Sequence, residues 1–260
     1  MLFLTRMVIK EDDAIPSILH LVHKDRASIK PASIEYMRHC AELNPDYTIM
    51  FHSDQDIRKM LETDYSEYVE SFYRLGPPMK QIDLSRYFLM HRYGGIYADL
   101  DYECVQPFRA WVPKEKAAWL SSWPDPALLV SAKGEPFWID AIERVFEQPA
   151  QQSVWDTTGP SGLNRYTINY IQRFGAGIVL KPLRENHFSW EKLKGEKGNG
   201  DKPESHLGFI SLWFFDPCEC SAGCLRECEA LEGGCGLKYP DRYMIHHCSN
   251  SWRGTSLGQA

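Results

Sequence analysis

The stretch Gln81-Ile82-Asp83-Leu84-Ser85-Arg86-Tyr87, running on through Tyr93-Gly94-Gly95-Ile96-Tyr97-Ala98-Asp99-Leu100-Asp101, decides how this chain folds. Met79 to Tyr93 reads as a helix that stops at Gly94-Gly95, where a glycine takes the left-handed cap. Ile96 to Val105 then reads as a strand. Side chains two apart on a strand share a face, so Ile96, Ala98 and Leu100 point to the core and Asp99, Asp101 and Glu103 point the other way. Two carboxylates about 7 Å apart at a strand end repel unless a cation sits beside them. Hard oxygen ligands of this kind suit Mg²⁺ or Mn²⁺, above all where substrate phosphates complete the shell. A bare D-x-D also fits the solvated face of an edge strand. Asp83 and Arg86 are i and i+3, on one helix face; alone that spacing is most often a surface ion pair.

Outward from this hairpin the pattern alternates. Ile15–Val22 and Tyr47–Phe51 read as strands. Ala32–Leu43, Asp54–Glu62 and Ser66–Leu75 read as helices, the second capped by Ser53 or Asp54. Strand–helix alternation predicts an α/β fold with a mostly parallel central sheet flanked by helices, and ligand sites in such sheets lie at the carboxyl ends of the strands. Further on, helices are expected near 136–146 and 162–174 and a strand near 209–215. Leu193–Ser205, rich in Lys, Gly and Pro, reads as a mobile loop able to act as a lid. No linker divides the chain, so residues 1–260 are expected to form a single domain.

The 260 residues carry a net charge of −6 with 43% hydrophobic and 25% charged residues, enough for an ordinary globular core. Such a surface disfavours nucleic acid and anionic membranes as partners. No apolar run approaches the ~20 residues of a membrane span, and Met1–Lys10 lacks the apolar stretch of a signal peptide.

Eight cysteines are present, six of them at positions 218, 220, 224, 228, 235 and 248. They fit either a disulfide-stapled insert at 216–240 or a zinc site. The run C-x-C-x3-C-x3-C lacks a C-x2-C pair, which favours disulfides and with them a secretory lumen such as the Golgi; a cytoplasmic location stays open.

The full hairpin from Gln81 to Asp101 resembles the signature of glycosyltransferase family 32. This DXD sugar-transferase group includes yeast initiating α-1,6-mannosyltransferases and inositol-phosphoceramide mannosyltransferases. The hairpin is also similar to the catalytic domains of clostridial glucosylating toxins. Ile15-Pro16-Ser17-Ile18-Leu19-His20, Asn44-Pro45-Asp46-Tyr47, Thr158-Gly159-Pro160 and His246-His247-Cys248-Ser249-Asn250-Ser251-Trp252 resemble further blocks. The resemblance implies a GT-A fold and a retaining transferase. Such an enzyme moves a hexose from a UDP- or GDP-sugar to a glycan or other hydroxyl acceptor, with Mn²⁺ or Mg²⁺.

Carried over by residue, Asp83 and Arg86 bind donor sugar and phosphate, and Asp99 contacts ribose and sugar. Asp101 is the main metal ligand, joined by Asp99, His247 and Asn250, with Ser251 a further metal or phosphate contact. Gly95 and Tyr97 flank the donor, Trp252 closes over the diphosphate, and Val22 and His23 lie against the base. His23 stands where many members have Trp, and Cys248 where an aromatic is usual. Two other readings are a metal-dependent hydrolase of phosphate esters or glycosides and a non-catalytic sugar-binding module. The first needs a positioned base that does not stand out, since a glycosidase pair must flank its bond from both sides. The second expects neither a cation requirement nor nucleotide affinity.

Overall fold

A computed structural model describes residues 14–174, 177–180, 206–232 and 234–249. The expected lid at 193–205, Met1–Lys10, Asn250, Ser251 and Trp252 lie outside the described residues.

The first half alternates as expected: β1 (Ile18–Val22), α1 (Pro31–Leu43), β2 (Thr48–His52), α2 (Asp54–Asp64), α3 (Val69–Arg74), α4 (Pro78–Tyr93) and β3 (Gly95–Ala98). Ser53 closes a capping box with Asp56, which starts α2 where the sequence places it. Then come β4 (Tyr102–Cys104), α5 (Phe108–Trp111), β5 (Ala118–Ser121), β6 (Leu128–Ser131), α6 (Pro136–Phe146), α7 (Val154–Thr157), α8 (Pro160–Phe174) and β7 (Gly177–Leu180). After them follow β8 (His206–Ile210), α9 (Ala222–Glu229), α10 (Gly234–Lys238) and β9 (Met244–His246).

The central sheet has seven strands in the order β2-β1-β3-β6-β5-β8-β7. β6 runs antiparallel to both of its neighbours, and the other pairings are parallel. This is the mostly parallel α/β sheet that the sequence predicts. Alternate residues of each strand feed opposite layers. Tyr97, Leu120, Leu129 and Phe209 pack under α4, α6 and α8. Ile96, Ala98, Trp119, Leu128 and Val130 pack on the other side with Leu19, Leu21, Phe108 and Trp111.

One expectation fails at the acidic motif. The strand expected over Ile96–Val105 is two strands in two sheets: β3 ends at Ala98, and β4 pairs with β9 in a separate ladder. Residues 99–101 make the turn between them, closed by the Tyr102 amide on the Asp99 carbonyl at 3.1 Å. Asp99, Asp101 and Glu103 therefore do not line one pleated face. The turn sends the two aspartates to different partners, although the Asp101 charge still acts on Asp99. The strand expected near Phe209–Phe215 is likewise β8 followed by a short 3-10 turn over Leu212–Phe214.

The cysteines are all in disulfides: Cys40–Cys104, Cys218–Cys224, Cys220–Cys248 and Cys228–Cys235. Around the last three, α9 and α10 pack with Leu225 and Ile245 as a small lobe against β9. No helix among the described residues is long and apolar enough to cross a membrane.

Candidate active site

The hairpin of α4 and β3 builds the site. Gly94 and Gly95 have φ of 65° and 91°, and a Cβ on Gly95 would sit 2.7 Å from the Ile18 carbonyl oxygen. Only glycine turns the chain this tightly so close to a neighbouring strand. The helix then lies directly over its own strand. Half of a sixteen-residue helix and a four-residue strand are both about 12 Å long, so the middle of α4 returns to the end of β3.

That is where the charges meet. Arg86 Nη2 stands 3.0 Å from Asp99 Oδ1, and Arg86 Nη1 stands 3.2 Å from Asp83 Oδ1. The guanidinium also lies over the Tyr97 ring at 5.0 Å. Tyr97 donates its hydroxyl to Asp99. Thr158 donates to Asp83 Oδ2 at 3.1 Å, and Tyr87 donates to the Thr158 carbonyl at 2.8 Å. The segment before α8 is thereby brought against the helix. Asp83 and Arg86 are buried, which separates them from the surface ion pairs that their spacing usually makes.

Asp101 has its own partners. Its Oδ2 accepts the Ser249 amide at 2.7 Å, its Oδ1 lies 3.5 Å from His246 Nε2, and its carbonyl accepts the His247 amide at 2.9 Å. His246 stacks on Tyr102 with centroids 4.4 Å apart. The structure thus brings His246, rather than His247, to the Asp101 carboxylate. His247 sits between Glu103 at 3.0 Å and Glu229 at 2.9 Å, and stacks on Tyr36 at 4.4 Å. The choice is set by the β4–β9 register, in which Tyr102 faces His246. Val22 and His23 lie at the carboxyl end of β1, and parallel pairing of β1 with β3 puts them on the same sheet edge as Asp99. His23 Nδ1 is bound to the Asp25 carbonyl at 2.8 Å.

Burial pushes the Asp83 carboxyl up to about 7 against the pull of Arg86. Burial also raises Asp99, again opposed by Arg86. Burial pushes Asp101 the same way, but His246 and the Ser249 amide outweigh it and hold that carboxyl well below the usual range. Burial lowers His246, and the Asp101 charge more than reverses this, raising it to about 9. One guanidinium and one imidazolium therefore face Asp83, Asp99 and Asp101, with Asp125 close enough to act on both Asp83 and His246. Asp101 Oδ1 is buried and accepts no hydrogen bond among the described residues, with His246 Nε2 as its ion-pair neighbour at 3.5 Å. A carboxylate oxygen left in that state, in an acid-rich cleft, fits the donor set of a hard divalent cation. The sequence reading does not single out Asp125, in the β5–β6 loop, and assigns the histidine role to His247 rather than His246. Neither has a local pattern that could reveal it.

Residues 31–118 match the family described as a glycosyltransferase sugar-binding region containing the DXD motif, in agreement with the resemblance read from the hairpin. The chain is 29% identical over 138 residues to inositol phosphoceramide mannosyltransferase 3 of Schizosaccharomyces pombe, covering 51% of this chain and 37% of that protein. It is 27% identical over 200 residues to the mannosyl phosphorylinositol ceramide synthase SUR1 of Saccharomyces cerevisiae, covering 71% of this chain and 51% of that protein. The chain thus spans 37% and 51% of the length of these two relatives. A solved structure, the PaToxG glycosyltransferase, is similar at a TM-score of 0.46 and 17% identity, over 60% of this chain and 69% of that one.

Proposed function

From a chain whose residues 31–118 match a DXD sugar-binding region, we propose a retaining hexosyltransferase that uses a UDP- or GDP-sugar, a divalent cation and a hydroxyl acceptor. In this reading the chain is one GT-A catalytic domain with the cystine lobe at 216–240 inserted in it. The observation that carries the proposal is the buried pair Asp83 and Arg86 joined to Asp99, beside Asp101, whose Oδ1 accepts no hydrogen bond among the described residues.

The leaving group of a nucleotide sugar is a diphosphate, and charge builds on it as the glycosidic bond breaks. Arg86 presents a fixed, dry cation towards that charge; preorganised charge in a buried site is worth far more than the same group in water. Asp83 and Asp99 hold the guanidinium still, and Asp99 turns its Oδ2 to the donor's hydroxyls. Asp101 holds Mn²⁺ or Mg²⁺ with help from Asp99. Bound there, the cation supplies Lewis-acid stabilisation of the diphosphate. His246 orients Asp101, while His247 ties β4 to the lobe. Asn250 adds a metal ligand and Ser251 a metal or phosphate contact, Trp252 covers the diphosphate, and Val22 and His23 meet the base. In a retaining transfer the acceptor hydroxyl enters on the face that the leaving group vacates, and the leaving phosphate takes its proton. Mannose-bearing donors are the first to test, because the two yeast relatives carry mannosyl names. The four disulfides suit an oxidising compartment such as a secretory lumen.

The test is nucleoside diphosphate release from a panel of UDP- and GDP-hexoses, with Mn²⁺ and with chelator. Metal-dependent release from one donor is expected. No release and no binding of any donor would move the assignment to a non-catalytic sugar-binding module.

A further inference from the structure

Three of the four disulfides belong to the cystine lobe, and they differ in reach. Cys218–Cys224 and Cys228–Cys235 close spans of 6 and 7 residues inside the lobe. Cys220–Cys248 spans 28 and leaves it, joining the lobe to the segment that follows β9. That segment carries the contacts to the acidic turn: His246 faces Asp101, the His247 amide binds the Asp101 carbonyl, and the Ser249 amide binds Asp101 Oδ2. Backbone pairing holds it only so far. The β4–β9 ladder ends at His246 among the described residues, and Cys248 lies just beyond.

We infer that Cys220–Cys248, with Glu229, forms a latch that holds residues 247–249 across Asp101, so that the lobe is a positioning device for the cation site. The inference rests on the reading of Asp101 as the cation ligand.

Three further observations support it. Cys248 has φ of 49°, and Glu219 and Cys220 have 48° and 54°. Left-handed backbone is unfavourable for side chains of these types and persists where the surroundings enforce it. Here it falls on both half-cystines of the link and on the residue before one of them. Glu229, at the end of α9 in the same lobe, binds His247 Nδ1, so the lobe grips the segment at two neighbouring residues. Tyr36 of α1 also stacks on His247, and the Cys40–Cys104 disulfide ties α1 to β4. His247 is thus held by the lobe and by α1, and the amide of Ser249 is delivered to Asp101 by the link next to it. Tethering a group beside its partner raises its effective concentration without adding a contact.

Cys220 and Cys248 are positioning residues: neither sulfur reaches Asp101. The test uses the whole chain and reads Mn²⁺ affinity by electron paramagnetic resonance, with no donor present. The paired variant Cys220→Ser with Cys248→Ser should bind Mn²⁺ about tenfold more weakly, as befits a lost charge-assisted amide contact. The paired variant Cys218→Ser with Cys224→Ser should change affinity by less than about twofold. Glu229→Gln keeps all four disulfides and loosens only the second grip, so a smaller loss, about threefold, is expected. Circular dichroism and thermal melting of each apo variant check that the sheet is intact. Unchanged Mn²⁺ affinity in the folded Cys220/Cys248 variant overturns the latch, as does an equal loss in the Cys218/Cys224 variant. If the Cys220/Cys248 variant does not fold, Glu229→Gln decides alone, and full affinity there overturns the proposal. Failure of the wild type itself to bind Mn²⁺ would overturn the cation reading instead.

Discussion

Arg86 and Asp99 meet at 3.0 Å because the helix that carries one and the strand that ends at the other are folded back on each other through Gly94-Gly95. Arg86 binds Asp83 from the same position, so one buried guanidinium joins the buried Asp83 and the partly exposed Asp99. A lysine ammonium is a point charge that cannot span both in this planar fashion. Arg86→Lys is expected to lower kcat/KM by about a hundredfold or more, as loss of a preorganised cation at developing charge does. Arg86→Met should in addition cost about 3–5 kcal/mol in urea unfolding, because it leaves the buried Asp83 carboxyl without its cation. Steady-state kinetics and denaturation of the two variants check this; wild-type kcat/KM in Arg86→Lys would remove Arg86 from the chemistry.

The turn itself can be tested without touching a charge. Gly95→Ala places a Cβ 2.7 Å from the Ile18 carbonyl oxygen at a φ of 91°. Backbone cannot yield there as a flexible side chain could. A loss of about 2–4 kcal/mol is expected from strain plus overpacking. Chemical denaturation measures it, and a loss below about 0.5 kcal/mol, the level of an ordinary surface change, would contradict the close approach.

A buried imidazole pair predicts how the fold responds to acid. His20 Nε2 donates to the Gly94 carbonyl at 2.9 Å, and His20 Nδ1 accepts from His52 Nε2 at 2.9 Å. Burial holds His20 down at about 3 and His52 at about 4, from the ordinary 6.5. Unfolded chains take up protons below pH 6.5 that these two folded imidazoles refuse, so the contribution of the pair is full above that pH and is lost as pH drops towards 4, while the raised Asp83 carboxyl acts in the opposite sense over the same range. Each imidazole contributes about 2 kcal/mol of loss between pH 7 and pH 5. His20→Asn should halve that acid limb while lowering stability at pH 7, since the Gly94 carbonyl loses its donor. Urea midpoints across pH 4–8 provide the measurement; an unchanged limb in the variant would assign the acid sensitivity elsewhere.

The helix, the glycine turn and β3 are legible because each is written locally: an apolar run, a cap, and a short apolar segment directly after the glycines. Asp83 and Arg86 stood out for the same reason, sharing one helical face. The acidic turn is hidden because the pattern of Ile96 to Val105 is a good strand pattern, and only tertiary partners break it. Arg86 draws Asp99 one way, and His246 and Ser249 draw Asp101 the other. Likewise β5 and β6 have four residues each and are buried throughout, so they show no alternation to read. Which of two adjacent histidines faces Asp101 depends on strand register, and the pairing of the cysteines depends on the folded lobe. Neither is contained in spacing.

The central claim is that Asp101 holds the donor's diphosphate through a divalent cation. Calorimetric titration of GDP and UDP into the protein, with Mn²⁺ and then with chelator, tests it most directly when wild type and Asp101→Asn are compared. The account predicts nucleotide binding that needs Mn²⁺ in the wild type and falls by a hundredfold or more, about 2.7 kcal/mol, in a folded Asp101→Asn. Equal, metal-independent binding by both proteins would contradict it.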